Sequence, residues 1–160
     1  MKKLAFLLLS LCAALSLAGA ALAAAKVTPA PDYERPGFET YLEDGRLWVF
    51  HKHAKDLKTF HERGELAKFV VRPAAGPERM TLKGPDAETL DAYLLSRPGF
   101  VTKVEEGRLW VLRDGSDELK QFVERGELAK FIVRPAAGPN GMTLRAPDAE
   151  TADAYMALFR

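Results

Sequence analysis

The chain has 160 residues, with 23 lysines and arginines against 22 aspartates and glutamates, and one cysteine. So even a charge is no electrostatic footprint for a polyanion, which sets nucleic acid aside as a partner. A lone cysteine at position 12 rules out a disulfide framework, a thiolate metal site and, once the leader is removed, a thiol nucleophile.

The chain starts Met1-Lys2-Lys3 and then runs apolar over residues 4–25, with the small residues Ala21-Leu22-Ala23 near the end of that run. A basic start, an apolar stretch and a small-residue site predict a secretory signal peptide over residues 1–23. A retained membrane anchor is the competing reading, and the run is only just long enough to span a bilayer. Lipid attachment at Cys12 is disfavoured because Leu11, not a small residue, precedes it. Removing residues 1–23 takes away two lysines and no acids, which leaves 21 basic against 22 acidic residues. The expected location is periplasmic or secreted, with no membrane span after cleavage. Residues 24–34, with Pro29 and Pro31, read as an extended lead-in.

The rest of the chain is a duplication. Arg35-Pro36-Gly37-Phe38 returns as Arg97-Pro98-Gly99-Phe100, an offset of 62 that persists without a gap. About two-thirds of the paired positions are identical, so the two copies must share a fold. The modules are residues 35–96 and 97–160. Each is small for an independent core, and the connection between them is short, so they are expected to touch.

Within module one, residues 39–50 read as a hairpin around Asp44-Gly45, a two-residue type I′ turn signal. That loop pairs Glu43 with Arg46, Leu42 with Leu47, Tyr41 with Trp48 and Thr40 with Val49. One face then carries Leu42, Leu47 and Val49. The other carries Tyr41, Trp48 and Phe50, so both faces are partly apolar. A helix over residues 55–63 follows, stopped by Gly64; its counterpart is capped by Ser116 and stopped by Gly126. Residues 67–72 read as a strand, 74–78 as a loop and 80–83 as a half-buried strand. A second helix starts after Asp86 and carries Leu90, Tyr93 and Leu94 on one stripe. The predicted fold class is α+β: two tandem ββαββα modules, each an antiparallel sheet with helices on one face.

Four groups of residues could carry chemistry. Trp48 and Trp110 occupy equivalent strand positions, with Arg46 and Arg108 two residues away and Tyr41 opposite Trp48; an exposed tryptophan face can stack on a sugar or anchor a protein. Arg72 and Arg134 each precede a small-residue loop that could hold a carboxylate or phosphate, although two prolines remove donors from it. His51, His53 and His61, with Met80 nearby in sequence, suggest a copper or zinc site confined to module one. Catalytic side chains are poorly represented: the exported part has only Ser96 and Ser116, with no nucleophile elbow and no zinc-hydrolase motif. The expectation is a non-catalytic binding protein without a cofactor, meeting an envelope protein, a glycan or a small ligand through the Trp faces or the module seam. Periplasmic metal binding is the alternative.

Overall fold

A computed structural model describes residues 26–159. The predicted signal peptide over residues 1–23 lies outside the described residues. Module one consists of β1 (Thr28–Pro29), β2 (Phe38–Glu43), β3 (Arg46–His51), α1 (Lys55–Arg63), β4 (Val70–Arg72), β5 (Thr81–Gly84) and α2 (Ala87–Leu95). Module two repeats all but the first strand: β6 (Phe100–Glu105), β7 (Arg108–Arg113), α3 (Asp117–Arg125), β8 (Ile132–Arg134), β9 (Thr143–Ala146) and α4 (Ala149–Ala157). The α+β class and the duplicated ββαββα order are as the sequence indicates.

The hairpin follows from its turn. Asp44 and Gly45 both take positive φ (49° and 71°), as a type I′ loop requires. The resulting register pairs Glu43 with Arg46, Leu42 with Leu47, Tyr41 with Trp48 and Thr40 with Val49, as expected. The helix ends also obey local chemistry. Asp86 and Ser116 accept hydrogen bonds from the backbone N–H of Thr89 and Leu119, and α1 and α3 stop at left-handed Gly64 and Gly126.

Two features of the sheet differ from expectation. It is mixed, not antiparallel: the orders are β1-β2-β3-β5-β4 and β6-β7-β9-β8, and the central pairs β3–β5 and β7–β9 run parallel. The helices also lie on both faces. Leu47 and Val49 pack with Leu90 and Tyr93 of α2, whereas Trp48 and Phe50 pack with Leu57 and Phe60 of α1. The reason is visible in β3, where four consecutive apolar residues from Leu47 to Phe50 are almost fully buried. A central strand that is apolar on both sides must be covered on both sides, and each fully buried large side chain contributes about 1.5–3 kcal/mol. Two strand boundaries also shift. The first predicted strand covers only Val70–Arg72, and the second runs Thr81–Gly84.

The lead-in is more than an extended segment. Thr28 and Pro29 add a strand to the edge of β2, and Pro31–Tyr33 form a turn of 3₁₀ helix. Module two has no such strand; α2 packs against β6 instead. The two arrangements share the same hydrogen bonds. Thr40 Oγ1 donates to the Ala30 carbonyl (2.6 Å) and Tyr93 OH to the Tyr33 carbonyl (2.8 Å). Sixty-two residues later, Thr102 Oγ1 donates to Ala92 (2.7 Å) and Tyr155 OH to Leu95 (2.8 Å).

These contacts fasten the modules together. The last four carbonyls of a helix have no partner within it. In α2 they belong to Ala92, Tyr93, Leu94 and Leu95. Thr102 takes the first and Tyr155 the last. Arg35 Nη1 donates to Tyr93 (2.7 Å) and Arg97 Nη1 to Leu94 (3.2 Å). Two guanidinium groups at a helix C-terminus also suit its dipole. The repeated Arg-Pro-Gly-Phe segments thus supply the pins, and one hydrophobic core runs from Phe38 through α2 to Tyr155.

Candidate functional site

A concave feature lies where the modules meet. It is a pocket of about 400 Å³, within the range of small-molecule sites. Module one contributes Gly37 and the turn of residues 51–54 after β3. Module two contributes Val101 and Lys103 from β6, Leu112 from β7, and Leu119, Phe122 and Val123 from α3.

The pocket exists because the copies differ in four side chains. In module one, the space between the sheet and α1 is filled by Tyr41, Phe50 and Phe60, with ring centroids 4.7–6.4 Å apart. The Tyr41 hydroxyl is held there: it donates to Glu39, and His61 Nε2 lies 2.5 Å from it. Burial and the Glu39 carboxylate both push the Tyr41 phenol above its ordinary range. The corresponding residues of module two are Val101 for Glu39, Lys103 for Tyr41, Leu112 for Phe50 and Val123 for His61. The aromatic plug and its polar anchors are gone, while Phe122 remains as a wall.

Divergence concentrates at this seam. Of the fifteen lining residues, nine (residues 51–54, Val101, Lys103, Leu112, Asp114 and Val123) differ from their counterparts in the other copy. Over the whole repeat only about one position in three differs.

The walls are apolar and the charges sit at the rim. Lys103 Nζ is 2.5 Å from Glu105 Oε1 and lies over the Phe122 ring at 5.4 Å. Lys52 pairs with Glu34 at 3.1 Å. His51 stacks on Phe38 with centroids 4.5 Å apart. Burial, reinforced by the Lys103 charge across the seam, brings its pKa down to about 4, against the weaker pull of Asp86 and Glu105. His51 therefore faces the pocket as a neutral imidazole at neutral pH.

Of the site residues expected from sequence, His51 and His53 line the pocket and the others fall elsewhere. Trp48 and Trp110 are 1% and 2% exposed under α1 and α3, so the Trp faces are core and Tyr41 is part of that core. Arg46 and Arg108 are exposed beside the hairpin turns, Arg108 paired with Glu106 at 3.1 Å. Arg72 and Arg134 are engaged within the fold: each pairs at 2.5 Å with an aspartate of the following helix, Asp91 and Asp153, and so ties an edge strand to a helix. His51 and His53 do not share a strand face. The strand ends at His51, and His53 sits in a turn with φ of 70° where the other copy has Gly115. His61 lies on α1 against Tyr41, and Met80 packs on the α2 side of the sheet. No group of three or more metal-ligating side chains exists among the described residues.

The pocket residues Val101, Lys103, Leu112 and Phe122 were not singled out by sequence reasoning. A signal was present in the replacement of Tyr41 by Lys103 and Phe50 by Leu112, which removes aromatic volume from one copy only.

Among the described residues no helix is long and apolar enough to cross a membrane. No family model, curated protein or solved structure matches the chain closely enough to lend it a family or a role.

Proposed function

We propose that this protein acts after export as a non-catalytic binding protein whose ligand is a small molecule held in the seam between its modules. The observation that carries the reading is the pocket itself. Module one fills the equivalent space with its own aromatic side chain, and module two leaves it open and roofs it with residues of module one. Apolar walls with a few charged groups at the rim are the usual composition of such sites. Export rests on the leader-like residues 1–23. The non-catalytic reading draws on the serines: Ser116 caps α3, and Ser96 is buried with its hydroxyl turned to the Phe100 carbonyl.

A ligand that binds only the folded state raises the melting temperature. A panel of small apolar and amphipathic molecules is screened by thermal shift against the wild type and against Lys103→Tyr, which restores the plug of module one. Compounds that stabilise the wild type and leave the plugged variant unmoved support the seam as the site. If nothing at millimolar concentration stabilises the wild type, or if the plugged variant responds equally, the reading fails.

A further inference from the structure

Glu105 stands in a position that has two possible sets of partners, and the two copies show one each. In module one the equivalent residue, Glu43, accepts a hydrogen bond from Trp48 Nε1 (2.8 Å) and pairs with Lys83, whose ammonium lies 4.2 Å over the Trp48 ring. Burial works to raise the Glu43 carboxyl, but the hydrogen bonds from Lys83 and Trp48 together bring it below its ordinary range. In module two the same donors are present as Trp110 and Arg145. Yet Trp110 Nε1 and Arg145 Nε are buried without a hydrogen-bond partner among the described residues. Their acceptor has gone elsewhere: Glu105 pairs with Lys103 at the pocket rim. A buried donor left unpaired is costly, and native structures carry few of them.

Lys103 has no counterpart in module one, where Tyr41 occupies its place. Its ammonium stands between an apolar cavity on one side and Glu105 on the other. Resting on the pocket reading above, we propose that the seam takes an amphipathic carboxylate. Its apolar body lies against Val101, Leu112 and Phe122, and its carboxylate takes Glu105's place on Lys103. Glu105 then turns to Trp110 and Arg145, in the arrangement that Glu43 already has with Trp48 and Lys83. Ligand binding and satisfaction of the two orphaned donors become one event. A neutral ligand of the same shape fills the cavity and cannot release Glu105, so charge on the ligand is selected even though the walls are apolar.

The test compares octanoate with 1-octanol by calorimetry on the full exported chain. The same titrations in a Trp48→Phe background use Trp110 as the single indole reporter. Expected is octanoate binding at least about tenfold tighter than 1-octanol, with a change in Trp110 emission for octanoate alone. Lys103→Met is expected to bring the two ligands to equal affinity. If 1-octanol binds the wild type as well as octanoate does, or if Lys103→Met keeps the preference, the carboxylate assignment is wrong while the pocket reading stands. If neither ligand binds, both fall. Should Trp48→Phe prove unstable, the calorimetric preference and its loss in Lys103→Met decide alone.

Discussion

The two modules share about two-thirds of their residues and the same backbone plan, but they spend the space above the Trp strand differently. Module one closes it: Tyr41 is wedged between sheet and helix, tied to Glu39 and His61, and Glu43 satisfies both Trp48 and Lys83. Module two opens it: a lysine stands for the tyrosine, and two buried donors have no hydrogen-bond partner among the described residues. A second exchange is compensated inside the core. Gly84 leaves room for Leu90 in module one, and Ala146 with Ala152 divides the same volume in module two. The first contrast has no such compensation. Duplication gives one copy that holds the fold and a second free to lose a plug, provided the neighbouring module roofs the gap.

The comparison can be broken most forcefully at what the copies share. Trp48 and Trp110 are core in both, so replacing either by alanine is expected to cost about 3–5 kcal/mol. The double variant should be unfolded at room temperature by circular dichroism. A folded double variant would return the tryptophans to the surface.

The next test separates seam from local backbone. Gly37 and Gly99 have the same φ of 81°, but a Cβ on Gly37 would come within 2.5 Å of Val101, and one on Gly99 would meet nothing within 4 Å. Gly99→Ala should cost about 1–2 kcal/mol from the left-handed conformation alone. Gly37→Ala should cost about 2–4 kcal/mol, because crowding at the seam is added. Equal losses in urea unfolding would mean that the modules do not press together at this point.

A smaller effect is read from pH. The folded pKa of His51 lies near 4, below the ordinary 6.5, so the unfolded chain takes up the proton first as pH falls. Stability contributed by the neutral imidazole is therefore present above about pH 6.5 and is lost progressively toward pH 4. Between pH 7 and pH 5 the loss is on the order of 2 kcal/mol. His51→Gln should flatten the stability profile by that amount, since a glutamine side chain carries no titrating group.

The smallest expected change is a gain. Lys103→Tyr fills the seam with the side chain that module one uses, and cavity filling of this kind raises stability by about 0.5–2 kcal/mol. A fall in melting temperature instead would show that the seam has no room for the ring.

The hairpin register was legible in the chain because Asp44-Gly45 selects a loop of one length, and a loop of one length selects every pair behind it. The helix limits were legible for the same kind of reason: Asp86, Ser116, Gly64 and Gly126 act within a turn of where they stand. The buried tryptophans were legible only as half of a fact. The sequence showed apolar residues on both faces of β3, but not that α1 would cover one and α2 the other.

By itself, then, the sequence determined the duplication, the α+β class, the order of elements, the turns and the caps, since each depends on residues a few positions apart. Tertiary structure alone decided the parallel pairing of β3 with β5, the sharing of α2 between modules, the burial of Trp48 and Trp110, and the pocket. Those outcomes bring together residues as distant as Gly37 and Val101. No local propensity encodes such a meeting; it is settled by which apolar surfaces are left to cover once each module has formed.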